Sequence, residues 1–290
     1  VREIERRMCA DLGVRGAALM ECAARGVAES IRRHHDSARR KGVVVVCGAG
    51  NNGGDGWAVA RWLHGWGWPV GVIESGSPAD GTDAAIHRGV ALRAGVTQLS
   101  EWKSAGLFVD AVFGTGLSRA IEGRAAELLR RLGAQRSDIV AVDLPSGLDA
   151  DTGVAQALCP RAARTVTMGR AKLGMWLRDG PERCGEVEVV DLGYDAVPGA
   201  GDLASAEIPA ASDLEWPRRK RTDHKRKSGH LLVVAGSAAM AGAAILACKG
   251  ALAAGAGLVT LCAPRGARGR FASLPPEVMI LEGSPGDRVE

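Results

Sequence analysis

Apolar and polar positions follow two different spacings along this chain, and these predict helices and strands in turn. From Glu3 to Arg33, apolar residues recur every three or four positions with a break near Gly13, which predicts two amphipathic helices. The segment Val43–Cys47 is an unbroken β-branched run, as expected of a parallel strand that is covered on both faces. The chain is therefore expected to begin with helices that pack against a buried strand.

The alternation of helix and strand continues through most of the chain. A glycine-rich loop at 48–56 is followed by a predicted helix that ends near 65 and by a strand at 70–73. The later predicted elements are helices at 82–94 and 122–132 and strands at 107–112, 139–142 and 187–190. This alternation is typical of an open, mostly parallel sheet with helices on both faces. The predicted fold class is α/β, with a Rossmann-like doubly wound sheet.

The region 194–228 interrupts this pattern with prolines, glycines and a basic cluster, and a second β-α-β unit follows it. The elements of that unit are a strand at 231–235, a helix at 243–254 and a strand at 258–262. We predict a first domain at 1–197, a linker at 198–222 and the opening part of another α/β domain at 223–290. This last stretch is too short to close a doubly wound sheet of its own.

Composition narrows the functional classes. Apolar residues make up 46% of the chain and charged residues 24%, which is typical of a folded globular protein and excludes a disordered or collagen-like one. The seven cysteines form no CxxC pair, so neither a zinc site nor a disulfide framework is indicated, and we expect a reducing, cytoplasmic location. The most apolar long stretch, 243–263, contains Lys249 and several glycines, so no membrane span is predicted.

The positive charge of the chain is local. The formal net charge is +4, but Trp216–His230 alone contains seven Lys or Arg residues and one Asp. A nucleic-acid-binding face would interleave aromatic residues with its basic ones, and this segment has only Trp216 beside them. We therefore expect no nucleic-acid partner, and we interpret the segment as a solvated linker or as a loop near a phosphate.

The first candidate site lies in the glycine-rich segment 48–56. Glycines permit a close approach of the backbone, and the helix that follows offers free N–H groups to an anion. The spacing is neither GxGxxG nor that of a Walker loop. Asn51, Asn52 and Asp55 add side-chain oxygens that a simple phosphate loop does not need. The segment is therefore predicted to bind more than a phosphate.

Two further strand ends carry polar residues. Asp110 falls inside an apolar strand, where an unpaired carboxylate is costly, so a cation or strong donors are expected beside it. Asp143 ends the strand at 139–142, where it could accept a ribose hydroxyl or act as a base, and Ser146 follows in a tight turn. These Asn, Asp and Ser oxygens fit an alkali or alkaline-earth ion better than zinc.

Three motifs, in this order and spacing, resemble the NAD(P)H-hydrate epimerase family: Gly50–Gly56 (GNNGGDG), Val109–Gly116 (VDAVFGTG) and Val142–Gly147 (VDLPSG). The resemblance covers roughly residues 1–195, and Cys22 stands where the family has Asn. From about Asp223 the chain resembles the start of the ADP-dependent NAD(P)H-hydrate dehydratase, which has a ribokinase-like fold. The resemblance implies repair of nicotinamide nucleotides. The epimerase interconverts the R and S forms of the hydrated ring, and the dehydratase removes water from the S form with ADP.

The resemblance also implies the site residues. Potassium is expected on Asn52, Asp110 and Ser146, and Asp143 is the predicted acid/base residue. The small-molecule substrate NAD(P)HX is expected to contact Asn51, Asn52, Gly53, Gly54, Asp55, Gly114, Thr115, Gly116, Leu117, Ser118, Arg119, Ala120 and Asp143.

Other expectations bear on activity and assembly. The dehydratase-like part reaches Glu290 before the family's Gly-Thr-Gly-Asp-type loop, so we expect ADP to serve only a complete dehydratase domain. We therefore predict that ADP and S-hydrate give no restored reduced-cofactor absorbance with this chain. Tryptophans at near-helical spacing (57, 62, 66 and 68) are interpreted as core packing or as a subunit contact in a homo-oligomer.

Two alternative functions remain open at this stage. One is a non-catalytic nucleotide-binding or interaction protein on the same fold, which would bind the hydrate without changing R/S exchange. The other is a methyltransferase that uses 48–54 for a nucleoside. That function expects an acidic residue at the end of the strand at 70–73, and Glu74 stands there.

Overall fold

The structure is a computed structural model that describes residues 1–117, 119–204, 206–209, 211–213, 222, 224–237 and 239–283. The chain divides into two units, Val1–Glu207 and Ile208–Glu290. The strands of the first unit are β1 (Val43–Cys47), β2 (Val70–Glu74), β3 (Thr97–Gln98), β4 (Leu107–Ala111), β5 (Asp138–Val142), β6 (Arg164–Met168) and β7 (Glu186–Val190). Its helices are α1 (Arg2–Asp11), α2 (Gly16–His34), α3 (Asn51–Gly65), α4 (Asp83–Arg93), α5 (Gly123–Gly133) and α6 (Gly180–Cys184).

The seven strands form one sheet in the order β3-β2-β1-β4-β5-β6-β7. Every pairing is parallel, and β1 lies centrally, with Val43 paired to Val70 of β2 and to Leu107 of β4. The strand order reverses direction between β1 and β4, which creates a crevice at the carboxyl ends of these strands. The predicted Rossmann-like α/β fold is confirmed.

The sheet is covered on both faces, and this explains the unbroken apolar run of β1. Val43, Val45 and Cys47 pack into a core that includes residues of α2 and α3. Val44 and Val46 point to the opposite face, where Leu128, Leu129 and Leu132 of α5 complete a second core. Because successive side chains of a strand point to opposite faces, a strand buried on both sides needs an apolar residue at every position.

The sequence did not predict β6, and its composition explains why. Three of its five residues are polar, and two of these, Thr165 and Thr167, are fully buried. The Thr165 hydroxyl donates a hydrogen bond to the carbonyl oxygen of Cys184 at 2.7 Å, and the Thr167 hydroxyl donates to Asp143 Oδ1 at 3.1 Å. Buried hydroxyls are tolerated when they are hydrogen-bonded, so this strand lacks the apolar pattern that sequence reasoning detects.

The glycine-rich segment 48–56 is only partly a loop, which corrects the prediction. Helix α3 already begins at Asn51, so Asn51 to Asp55 lie in its first turns. A Cβ atom at Gly53 would lie 1.8 Å from the carbonyl oxygen of Gly48, and one at Gly56 would lie 2.5 Å from the Cβ of Ala111. These glycines therefore let the helix pack directly against β1 and β4, where a larger residue would clash.

The first unit extends beyond the predicted boundary at 197. Tyr194, Val197 and Ala200 are buried in a small cluster with Ile4 and Met8 of α1. The Tyr194 hydroxyl also donates a hydrogen bond to Glu5 Oε1 at 2.6 Å. This segment thus holds α1 against the domain, although the stretch from 198 was predicted as linker.

The second unit contains β8 (His230–Val234), α7 (Gly242–Ala253), β9 (Leu258–Pro264) and β10 (Val278–Gly283). Its three strands are parallel and lie in the order β10-β9-β8. Ala244, Cys248, Val259, Leu261 and Phe271 are among the buried residues of its core. Much of the basic segment predicted at 216–230 lies outside the described residues, namely 216–221 and 223.

The predicted tryptophans belong to the core of the first unit. Trp57 and Trp68 are buried, and the half-buried Trp62 and Trp66 pack against the same cluster. Homo-oligomerisation stays a prediction. Among the described residues, no helix combines the length and apolarity needed to span a bilayer.

Candidate functional site

A cavity of about 870 Å³ lies at the carboxyl ends of β1, β4 and β5, and it has the size of a typical ligand site. The predicted substrate residues that line it are Asn51, Asn52, Asp55, Gly114, Thr115, Gly116, Leu117, Arg119 and Asp143. Gly53 and Gly54 are buried within α3 and do not line it, and neither does the exposed Ala120. Ser118 lies outside the described residues. Cys22 is exposed on α2, away from the lining.

Asn52 lies at the wall of this cavity with an unsatisfied side chain. Both polar atoms of its amide are buried and have no hydrogen-bond partner among the described residues. A Cβ atom at Gly114 would lie 3.4 Å from Asn52 Oδ1 and 3.1 Å from Asp143 Oδ2, so both side chains flank Gly114. Leaving a buried polar group unpaired costs about 1–3 kcal/mol, so this amide is suited to a ligand from the cavity.

Asp110 and Ser146 form a fully buried pair behind the cavity. The Ser146 hydroxyl donates to Asp110 Oδ1 at 2.6 Å, and the backbone N–H of Ser146 donates to Oδ2 at 2.8 Å. The N–H of Phe113, next to Gly114, donates to the Ser146 hydroxyl at 2.8 Å. Burial raises the pKa of Asp110 to about 6, while these hydrogen bonds act in the opposite direction. The strong donors predicted beside Asp110 are therefore those of Ser146.

Asp143 is held in an unusual backbone conformation at the end of β5. Its φ of 67° lies in the left-handed region, which non-glycine residues seldom occupy and which costs about 1–3 kcal/mol. Its N–H donates to the carbonyl oxygen of Val166 on β6 at 2.8 Å. Its carboxylate accepts hydrogen bonds from Thr167 and from the ammonium group of Lys172. These contacts fix the carboxylate at the cavity wall.

Lys172 is a candidate site residue that sequence reasoning missed. Its side chain is buried, forms an ion pair with Asp143, and donates to Thr167 Oγ1 at 2.7 Å and to the Met168 carbonyl oxygen at 3.2 Å. It also lines the cavity. The signal was available only indirectly, because Lys172 follows β6 and that strand was not predicted. A lysine just beyond a strand's carboxyl end would otherwise have joined the candidates.

Asp55 lines the same cavity from α3, and its environment differs from that of Asp143. No hydrogen-bond donor or ion-pair partner contacts its carboxylate among the described residues. Burial raises the pKa of Asp55 well above its usual value, and the charges of Asp143 and Glu5 raise it further, against the lowering effect of Lys172. The cavity therefore contains one paired and one unpaired carboxylate from its predicted site residues.

The exposed rim of the cavity is basic. Arg2, Arg6 and Arg119 are exposed and line it, and the Arg2 guanidinium donates to the carbonyl oxygen of Thr115. The N-terminus of α3, with Gly50 and Asn51, also faces the cavity. Arginines and a helix N-terminus both favour anions, so this part of the cavity suits phosphate groups.

Glu74, the acidic residue that the methyltransferase alternative requires, is unavailable to a ligand. It is only 6% exposed and is absent from the cavity lining. Its carboxylate accepts hydrogen bonds from Trp57 Nε1 at 2.8 Å, from Arg88 Nε at 2.8 Å and from Gln98 Nε2 at 2.7 Å. A ribose diol would have to displace these donors, so the structure counts against that alternative.

A parallel sheet in this strand order, with a cavity at its switch point, defines a doubly wound α/β protein, a class whose members bind ligands at this place. Residues 16–174 match the family described as "YjeF-related protein N-terminus", and the chain belongs to that family.

Relatives of known description support this membership. The chain is 36% identical to the "Bifunctional NAD(P)H-hydrate repair enzyme Nnr" of Moorella thermoacetica, over 96% of this chain and 56% of that protein. It is 38% identical to the "NAD(P)H-hydrate epimerase" of Limosilactobacillus reuteri, over 64% of this chain and 90% of that protein. The crystal structure of yeast ynu0, YNL200c, superimposes with a TM-score of 0.56 at 26% identity, covering 61% of this chain and 82% of that one. The chain spans about half the length of the bifunctional relatives it matches.

Proposed function

We propose that this chain interconverts the R and S forms of NAD(P)H hydrate in the cavity at the end of β1, β4 and β5. The observation that carries the proposal is the Asp143 carboxylate, fixed by Lys172 and Thr167 at the wall of a cavity of nucleotide size. The name of the epimerase relative, most of whose length this chain covers, supports the same reaction. The first unit, which contains the cavity, is the part we expect to perform it.

The charges of the cavity support one orientation of the substrate. The pyrophosphate suits the basic rim and the N-terminus of α3, because both favour anions. The hydrated ring then reaches the interior, where Asp143 accepts or returns a proton at the hydroxyl group. Lys172 acts through Asp143 as a positioning residue, since its ammonium group holds the carboxylate in place.

We further propose that Asn52, Asp110 and Ser146 hold a potassium ion. The donor set fits: all three offer hard oxygen atoms, and the buried Asn52 amide has no partner among the described residues. When bound, the ion supplies a fixed positive charge near the anionic substrate. Among the described residues, no group of three or more His, Cys, Asp or Glu side chains could hold a metal, but this does not bear on a set that includes Asn and Ser.

The test is chiral chromatography of R-hydrate incubated with the purified chain, with potassium or sodium as the only monovalent cation. We expect the approach to the R/S equilibrium to be faster than the spontaneous rate, and faster in potassium than in sodium. Binding of the hydrate at the spontaneous exchange rate would instead favour the non-catalytic alternative.

The remaining properties of the larger relatives stay proposals for this chain. The alignment with the bifunctional enzyme extends over 96% of the chain, which supports a dehydratase-like origin for the second unit. We propose that ADP acts only with a complete dehydratase domain. All seven cysteines are free, which supports the proposed reducing, cytoplasmic location.

A further inference from the structure

Two of the acidic residues that line the cavity are Asp143 and Asp55, and among the described residues only the first of these two has a cationic partner. Asp143 follows β5 and accepts hydrogen bonds from Lys172 and Thr167. Asp55 projects from α3 and receives no hydrogen bond among the described residues, although it lines the same cavity. When two carboxyl groups in one cavity have such different partners, one can act as an acid and the other as a base.

The Asp143 carboxylate has two hydrogen-bond donors. A lysine ammonium group in direct contact stabilises a carboxylate, and the Thr167 hydroxyl adds a second donor. Both donors belong to β6 or to the residues just after it and contact Oδ1, which leaves Oδ2 beside Gly114 at the cavity wall. Asp143 is therefore suited to accept a proton.

The surroundings of Asp55 favour its neutral form. The charges that act on it are two negative ones, from Asp143 and Glu5, and one positive one, from Lys172, whose ammonium group is already paired with Asp143. Two further titratable groups interact electrostatically with Asp55, namely the buried Cys47 thiol on β1 and the Tyr194 hydroxyl. Burial and the neighbouring carboxylates raise the pKa of Asp55 well above that of a free aspartate.

We propose that Asp55 is a second catalytic residue, which donates a proton to the hydroxyl group that leaves the hydrated ring, while Asp143 accepts a proton from the water that adds. This inference rests on the proposed epimerase function and deepens it. The sequence predicted both residues as substrate contacts and only Asp143 as catalytic. The present inference gives each of the two residues its own catalytic role.

The step balances without any further reactant. The Asp55 carboxyl group gives its proton to the hydroxyl, the C–O bond breaks, and water leaves as the ring nitrogen's electron pair forms a C=N bond. Water then adds to the other face of that carbon. A new C–O bond forms, the π electrons return to nitrogen, and Asp143 takes the released proton. Exchange with solvent restores the starting protonation of both carboxyl groups, and the reverse reaction exchanges their roles.

The first test is Asp55→Asn, which keeps the shape of the side chain and removes the proton. We expect kcat to fall by about 10² to 10⁴, as for loss of a general acid, with KM changed far less. The wild-type rate should decline as pH rises through the pKa of Asp55, and this alkaline decline should be absent in the variant. Asp36→Asn removes an exposed carboxylate away from the cavity and is the matched control.

A second measurement separates loss of chemistry from loss of folding. Because the folded state binds the Asp55 proton more tightly than the unfolded state, the free energy of unfolding should fall as pH rises above the unfolded pKa of an aspartate, about 4. This fall should continue up to the raised folded pKa. Asp55→Asn should therefore be at least as stable as the wild type at neutral pH, and its advantage should disappear below about pH 4.

The outcomes distinguish this inference from the proposed function. Wild-type protein that does not accelerate R/S exchange overturns both. Active wild type with Asp55→Asn retaining its kcat and its alkaline decline overturns only the role of Asp55. In water enriched in the heavy oxygen isotope, each inversion should incorporate solvent oxygen. Inversion with retention of the original oxygen would show ring opening instead and would also overturn the proposal.

Discussion

Glu74 and Asp143 both stand at the carboxyl end of a strand in the same sheet, yet they have opposite relations to the cavity. Glu74 ends β2 and is surrounded by Trp57, Arg88 and Gln98, which together occupy both carboxylate oxygens. Asp143 follows β5, and its donors approach Oδ1. Its other oxygen, Oδ2, lies beside Gly114 of the cavity wall.

This difference shows that an acidic residue at a strand end is not by itself a functional site. Glu74 acts as a buried crosslink from β2 to α3, α4 and β3, because its partners come from those three elements and leave no oxygen for a ligand. Asp143 and Asp55 keep part of their hydrogen-bonding capacity directed at the cavity. Buried polar groups are normally satisfied, so the cavity residues whose capacity is incomplete are the ones suited to a ligand.

The largest expected effect is on the cavity side. Asp143→Asn removes the proton acceptor and keeps nearly the same side-chain shape, so we expect kcat for R/S exchange to fall by about 10² to 10⁴. Chiral chromatography at saturating hydrate measures this, with Asp36→Asn as the matched control. A variant that keeps its rate within about tenfold of the wild type would mean that Asp143 binds substrate without transferring a proton.

An effect of the opposite kind is expected at Glu74. Glu74→Ala leaves the Arg88 guanidinium and the Trp57 N–H without their acceptor, so the free energy of unfolding should fall by about 3 kcal/mol in urea. The kcat of the remaining folded protein should be close to that of the wild type, because Glu74 does not line the cavity.

Glu74→Gln is the control for that variant. Its amide oxygen can still accept the Trp57 hydrogen bond, so its loss of stability should be the smaller of the two. If Glu74→Ala instead lowered kcat strongly without changing stability, the distinction between crosslink and site would fail.

The same contrast explains what the sequence could predict. The central strand β1 was predictable because burial on both faces requires an apolar residue at each position, and the strand alternation then defined the fold. The polar residues Asn52, Asp55, Asp110 and Asp143 were predictable because they follow or interrupt apolar strands at the edge where ligands bind. Chain position thus identified the candidates on three strand ends.

What could not be predicted depends on contacts between distant residues. Lys172 and Thr167 become significant only because β6 lies beside β5, and the apolar pattern did not reveal β6. Glu74 resembled a ribose ligand until Arg88, fourteen residues away along the chain, was found paired to it. The glycines at 53 and 56 suggested a phosphate loop, yet their main role is the close packing of α3.

The smallest expected effect concerns potassium. It tests whether the unpaired Asn52 amide binds an ion, in contrast to the fully hydrogen-bonded Glu74 carboxylate. A ligand that binds only the folded state stabilises it, by about 1.4 kcal/mol at ten times its Kd, or roughly 3 to 5 °C in Tm for a domain of this size. We therefore expect a higher Tm in potassium chloride than in sodium or choline chloride at equal ionic strength. Asp110→Asn should lose this difference, because it removes the charge from the proposed ligand set, while Asp36→Asn should keep it. Equal Tm values for the wild type in all three salts would contradict the proposed potassium site, and the buried Asn52 amide would then have no partner.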